Sequence, residues 1–245
     1  MKDPDLLALR KALRLGEKRC RPYLNTYGSP HGLDILRQLI GEGFGRSRDE
    51  VFISVGPIFP LEWMIEKLLW KGDCIIADSP FTHGLPDKLD ELHIKVIIAD
   101  LTAMPAGEIE VMIAKKKPRF VYCKNGYRSP ENRIAVERLA KLANSFEFWF
   151  IEDSSQISVH SLQEFLPSFS LAASAPWAVH IGSCKELLRL PIGGFGYVIA
   201  SKGMVCDLTE GALYSYCFPP SPMQETVYEY FKAGQFFSPR ADTSS

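Results

Sequence analysis

An α/β architecture, with a mostly parallel sheet covered by helices on both faces, is what this sequence predicts, and three observations predict it. Short, continuously apolar runs recur along the chain, helix-period stretches separate them, and polar or glycine residues follow the runs at their carboxyl ends. Continuous apolar runs mark strands buried on both sides, which requires a layer of helices above and below. The expected form is a three-layer α/β/α sandwich.

Gly32 to Ile40 places Leu33, Leu36, Leu39 and Ile40 on one helical face. Val51 to Val55 reads as a short buried strand, and Leu61 to Trp70 as an amphipathic helix stopped by Lys71-Gly72. Cys74 to Ala77, Lys95 to Ala99 and Arg119 to Tyr122 read as further strands, and Ile134 to Asn144 as a helix. Phe148 to Asp153, Trp177 to Ile181 and Phe195 to Ala200 complete the strand set. The run Lys115-Lys116-Lys117 suits the solvated, negatively polarised end of a helix. The expected division is an N-terminal segment over 1–26, a large domain over 27–221, and over 222–245 a tail or the truncated start of a small domain. Residues 238–245 have the composition of a disordered end.

With 245 residues, 46% of them hydrophobic, the chain buries a substantial core. Its net charge is −1, from 28 basic and 29 acidic residues, so no sequence-wide field recruits nucleic acid or an anionic membrane. The six cysteines form no C-x-x-C pair and share no metal-ligand spacing with the five histidines. Met1-Lys2-Asp3-Pro4-Asp5 lacks the apolar core of a secretory signal, and no apolar run reaches the roughly 18 residues that span a bilayer. A reduced, soluble, cytoplasmic protein without a metal is expected. Neither a G-x-G-x-x-G nor a Walker loop is present, which argues against a nucleotide-binding α/β protein.

Ligands in such sheets bind beyond the carboxyl ends of the strands, and Gly56, Asp78, Asp153 and Lys185 each lie at or just after one. A strand-end carboxylate followed 32 positions on by a strand-end lysine can hold a pyridoxal ring. The Lys185 amine forms the Schiff base, and the Asp153 carboxylate keeps the pyridine nitrogen protonated. Gly56-Pro57-Ile58-Phe59-Pro60 ends a strand and opens a helix, aiming free backbone N–H groups and a helix dipole at one spot suited to a phosphate. Pro57 and Pro60 thin that donor set, and an ordinary strand–helix turn reads the same way. Ser183 adds a hydroxyl beside Lys185, or is simply a turn serine.

The ordered motifs carry a resemblance. Tyr27-Gly28-Ser29-Pro30-His31-Gly32 precedes Leu36-Arg37; Glu50 to Gly56 leads into the phosphate turn; Gly72-Asp73 precedes a strand. Asp78-Ser79-Pro80, then Phe120 to Pro130, Asp153, Lys185 and Pro222-Met223-Gln224 follow in order. From about Tyr27 to about Phe236 the chain resembles the large domain of the fold type I pyridoxal-phosphate enzymes, most closely the class I/II aminotransferases. The resemblance implies a pyridoxal 5′-phosphate enzyme acting on the amino group of an amino acid or amino sugar, assembled as a homodimer. It implies that Phe81 covers the ring face, although strict alignment puts Thr82 there, and that Gln156 bonds the ring hydroxyl. Ser129 stands where the family has its ring-hydroxyl Asn, and Tyr27 is expected to reach the partner's phosphate.

Three departures stand out. Ser129-Pro130-Glu131-Asn132 replaces Asn-Pro-x-Gly. Gly194 takes the place of the phosphate-binding Arg, with Arg189 nearby but out of register. The sequence ends at Ser245, soon after the family's small domain would begin, and that domain supplies the carboxylate-binding Arg. Two readings therefore stand side by side: an aminotransferase-like enzyme working through Lys185, and a degenerate, non-catalytic homologue that keeps the fold for a regulatory or partner-binding role.

Overall fold

A computed structural model describes residues 4–23, 28–81, 84–124, 130–155, 176–183 and 196–235. Strands β1 (Val51–Ser54), β2 (Cys74–Ala77), β3 (Lys95–Ile98), β4 (Phe120–Cys123), β5 (Trp149–Asp153), β6 (Ala178–Ser183) and β7 (Gly196–Ile199) make one sheet, in the order β1-β7-β6-β5-β4-β2-β3. All neighbours pair in parallel except β7, which runs antiparallel to both β1 and β6. The mostly parallel sheet expected from the apolar runs is present.

Eight α-helices accompany the sheet among the described residues: α1 (Pro4–Cys20), α2 (Asp34–Gly43), α3 (Ile58–Leu68), α4 (Leu85–Glu91), α5 (Ala106–Lys116), α6 (Pro130–Phe146), α7 (Lys202–Ser215) and α8 (Ser221–Tyr230). Their ends follow local chemistry. Ser201 caps α7, its hydroxyl accepting the Met204 N–H at 3.4 Å. Lys115 and Lys116 close α5 where its free carbonyls favour cations, and Lys117 turns the chain in the left-handed region at φ 47°. The helix expected over 61–70 instead spans Ile58–Leu68. Leu69 adopts extended backbone angles that end it, and Trp70 beyond is 74% exposed.

Alternation along the strands sorts side chains to two faces. On one face, Phe52, Ile75, Phe120, Tyr122, Ile151, Val179 and Val198 pack against Leu61, Met64 and Ile65 of α3, Leu85 and Leu89 of α4, and Met204, Val205 and Leu208 of α7. The opposite face is covered in two blocks. Ile76, Val121, Phe150 and Ala178 meet Ile109 and Ile113 of α5 and Leu139 and Ala143 of α6. Val51, Ile53, Tyr197 and Ile199 meet Leu9 of α1, Leu36 and Ile40 of α2, and Val227 and Tyr230 of α8. The result is the three-layer α/β/α sandwich. Buried Arg37 fastens α2 to the sheet, donating to the Val51 carbonyl at 2.7 Å while its other arm pairs with Asp34 at 2.9 Å.

Candidate active site

The carboxyl ends of β1, β2, β4, β5 and β6 lie along one edge of the sheet, together with the start of β7. Strand register fixes their order: Ala77 opposite Tyr122, Tyr122 opposite Ile151, Asp153 opposite Ile181, Ser183 opposite Gly196, and Gly196 opposite Ser54. Parallel pairing puts equivalent ends at one level, so residues distant in sequence share this edge.

Asp153 is its centre. As the last residue of β5 it projects to the same face as Ile151, two positions earlier, and is 9% exposed. Its Oδ2 accepts the Tyr122 hydroxyl at 2.6 Å, and its Oδ1 accepts the Ser155 backbone N–H at 2.9 Å. Burial, reinforced by the Asp153 charge, pushes the Tyr122 phenol above its ordinary value, so the phenol keeps its proton and acts as the donor. Phe81, itself buried, lays its ring against Tyr122 with centroids 4.7 Å apart. The carboxylate is thus held in one orientation by two donors, beside an aromatic wall.

Tyr122 is the residue that the sequence reading missed as functional, because within Phe120-Val121-Tyr122 it reads as an apolar strand position. A signal was present. Tyr122 alternates in phase with Phe120, and in a parallel sheet its long side chain carries a polar tip past the strand end.

Asp78, also at a strand end, has a different task. Its two oxygens accept the Lys124 N–H at 2.9 and 3.0 Å, the Cys123 thiol donates to it at 3.2 Å, and Ser79 donates at 3.0 Å. It therefore ties the end of β2 to the end of β4.

On the other side of Asp153, the turn from β1 into α3 forms as expected. The Ser54 hydroxyl donates to the Gly56 carbonyl at 2.6 Å, and Pro57 leads into Ile58 at the first position of α3. Pro57 at the N-cap offers this helix no side-chain bond, and the first-turn N–H groups of Ile58 and Phe59, like those of any helix start, have no intrahelical partner. Gly196 makes the close approach possible. A Cβ there would lie 2.9 Å from Gly56 C and 2.9 Å from Pro57 N, both backbone atoms. Buried Ser183 stands beside Gly196 in the register, two residues beyond the partner of Asp153. β5 and β7 are two strand spacings apart, roughly 10 Å.

Lys185, Gln156, Ser129 and Tyr27 lie outside the described residues. Their described neighbours are Ser183, Ser155, Pro130 and Gly28. The stretch after Tyr27 is anchored by buried Gln224 on α8, whose Oε1 accepts the Leu33 N–H at 2.7 Å and whose Nε2 donates to the Pro219 carbonyl at 2.7 Å. Asp153, Phe81, Ser183, Gly56, Pro57 and Ile58 are therefore the expected site residues that can be placed. They fall on one edge of one sheet.

The described residues fit the group that the sequence reading implied. A carboxylate fixed at the sheet edge by two donors suits a protonated heterocyclic nitrogen. An uncapped helix start two strands away suits a phosphate.

Comparison with known proteins agrees on the fold. No protein-family profile matches the chain. A curated 2-aminoadipate transaminase of Thermus thermophilus is 23% identical over 230 residues, 88% of this chain and 56% of that protein. The aspartate aminotransferase of Thermus thermophilus, solved with maleate, superposes with a TM-score of 0.74 at 16% identity, covering 93% of this chain and 62% of that one. The α-aminoadipate aminotransferase LysN of Thermus thermophilus, solved with N-(5′-phosphopyridoxyl)-L-leucine, gives 0.74 at 18% identity, covering 92% and 61%. The chain has the aminotransferase fold, and it spans a little over half the length of the curated relative that it matches.

Proposed function

We propose that the chain binds pyridoxal 5′-phosphate and transfers amino groups of amino acids, as an aminotransferase. The observation that carries this reading is the Asp153 carboxylate, fixed by Tyr122 and Ser155 at the sheet edge where ligands of this architecture bind. Bound there, the cofactor supplies an electron-accepting pyridinium ring. In this reading Asp153 accepts the hydrogen bond of the protonated ring nitrogen, and Tyr122 keeps the carboxylate oriented. Phe81 walls the ring pocket beside Tyr122. Gly56, Pro57, Ile58 and Ser183 line the phosphate end, with the Ile58 and Phe59 N–H groups as donors. Lys185, two residues beyond Ser183, is the covalent attachment point. Gln156 and Ser129 are assigned to the ring hydroxyl, and Tyr27 to the phosphate of a second subunit in a homodimer.

Amino acids as substrates are supported by the names of the relatives, a 2-aminoadipate transaminase and an aminotransferase solved with a phosphopyridoxyl-leucine adduct. A cytoplasmic setting is the reading that the cysteine usage supports; no helix among the described residues is long and apolar enough to cross a membrane.

The test is spectroscopic. Pyridoxal phosphate added to the chain is expected to give a visible absorbance band, and single amino acids should then discharge it as the amino group moves. Asp153→Asn should slow that discharge by about a hundredfold or more while changing cofactor affinity little, because the carboxylate acts most strongly as charge develops on the ring. An unchanged rate in Asp153→Asn contradicts the assigned role.

A further inference from the structure

Strands β2, β4 and β5 enter the sheet at the edge opposite Asp153, and a hollow of about 560 Å³ opens there, a size that suits a small molecule. Asp73 and Arg119 lie just before β2 and β4, and Glu147 lies two residues before β5. The Arg119 N–H donates to the Cys74 carbonyl at 2.8 Å, and the Trp149 N–H donates to the Arg119 carbonyl at 3.0 Å, which sets the three entries side by side. Helices α5 and α6 run back against the strands and end at the same place, so Ala114 and Ser145 of their last turns also line the hollow.

Four charges line it, Asp73 and Glu147 against Lys117 and Arg119, and no ion pair joins any two of them among the described residues. The Lys117 and Glu147 side chains make neither a hydrogen bond nor an ion pair there. Asp73 commits Oδ2 to the Trp70 N–H at 2.8 Å, and Arg119 commits only Nε, to the Leu68 carbonyl at 3.3 Å. Asp73 Oδ1 and both terminal nitrogens of Arg119 therefore stay open among the described residues. Lys117 and Glu147 are costly choices for the backbone as well. They sit in the left-handed region, at φ 47° and 56°, where the end of a helix favours glycine. Ile113, Pro118 and Phe146 add apolar wall to the same hollow.

We infer that this hollow binds a small zwitterion with an apolar body, the chemistry of a free amino acid such as leucine. Its ammonium meets Asp73, Glu147 and the negatively polarised last turns of α5 and α6; its carboxylate meets Arg119 and Lys117; its side chain meets Ile113, Pro118 and Phe146. Opposite charges arranged around one space, and not paired with each other, are satisfied together only by a ligand that carries both signs. The strands separate this edge from Asp153 by about 15 Å, so the inference does not rest on the function proposed above.

The experiment uses the full chain with no cofactor added, L-leucine as the probe and amide NMR as the readout. Leucine at up to about 10 mM is expected to shift the amides of Lys117 and Glu147 and leave that of Ser155, at the far edge, in place. N-acetyl-L-leucine, which lacks the ammonium, and L-leucinamide, which lacks the carboxylate, should each bind about tenfold more weakly or worse. Lys117→Gly and Glu147→Gly should each weaken leucine about tenfold while the urea midpoint holds or rises, because glycine relieves the left-handed backbone. That combination separates a lost ligand contact from lost structure. Should a glycine variant fail to fold, Arg119→Gln carries the same measurement. Absent shifts at Lys117 and Glu147, shifts confined to Ser155, equal binding of either blocked derivative, or a variant that binds leucine like the wild type overturns the site.

Discussion

Glu152 and Asp153 are neighbouring carboxylates on one strand, and the sheet treats them in opposite ways. Asp153 accepts hydrogen bonds on both oxygens, from Tyr122 and Ser155, and stays within reach of the open edge. Glu152 accepts none among the described residues and is sealed against a single imidazole. Donors that fix a carboxylate while leaving part of it accessible prepare it for an outside cation. A sealed carboxylate facing an imidazole across two strands is closed to any outside ligand, and its work is internal. The same residue chemistry thus serves binding on one face and cohesion on the other, and the alternation of the strand decides which.

The largest expected effect breaks this contrast directly. Glu152→Ala, which removes a buried carboxylate from beside His180, should destabilise the chain by about 3–5 kcal/mol in urea unfolding. Asp153→Ala should cost only about 1–2 kcal/mol, for the Tyr122 hydroxyl left without its acceptor. Equal losses in the two variants would erase the distinction.

Gly182 comes next, since a Cβ there would lie 2.1 Å from Cζ of the Tyr197 ring that flanks His180. Gly182→Ala should cost about 1–3 kcal/mol by forcing that ring aside, again in urea unfolding. A neutral result would show that the rear face has slack.

Tyr122 sharpens the front of the comparison. Its folded-state value is raised, so its contribution to stability is complete below the ordinary tyrosine range and is lost progressively as pH rises above about 10. Unfolding midpoints measured from pH 8 to about 11 should fall for the wild type and fall less for Tyr122→Phe, which should itself cost about 1 kcal/mol at neutral pH. Parallel pH profiles would remove the phenol from the account.

The smallest effect lies away from the site, as a control. Burial would raise Glu50, but the Ser47 N–H and hydroxyl, with Arg46, outweigh it and hold its carboxyl below the ordinary value. A depressed folded value gives stability that is present above the ordinary range and lost as pH falls through the folded one. Glu50→Gln should therefore cost about 0.5 kcal/mol at neutral pH and flatten the acid limb of the unfolding profile, without touching ligand binding.

How much of this was legible in the sequence depended on what each residue's neighbours are. The strands were readable because burial on both faces leaves unbroken apolar runs, and Asp153, Ser183 and Gly56 stood out because polar or glycine residues interrupt those runs at their ends. Tyr122 was hidden by its aromatic ring, which reads as core until the register with Ile151 shows where the hydroxyl lands. The pairing of Glu152 with His180 was hidden for another reason. The two are 28 residues apart, and only the β5–β6 register brings them opposite each other. Helix α1 also escaped, since its buried stripe at Leu9 and Ala12 is explained by α8, more than 200 residues later in sequence. Local pattern reveals elements; long-range pairing decides which polar groups meet.

The central claim is that the edge holding Asp153 seats pyridoxal phosphate for covalent capture by Lys185. Incubating wild type and Lys185→Ala with pyridoxal phosphate, reducing with borohydride and mapping the modified peptide tests it most directly. The account predicts stoichiometric label on Lys185 in the wild type and none in Lys185→Ala. Label on another lysine in the wild type, or undiminished label in the variant, would contradict it.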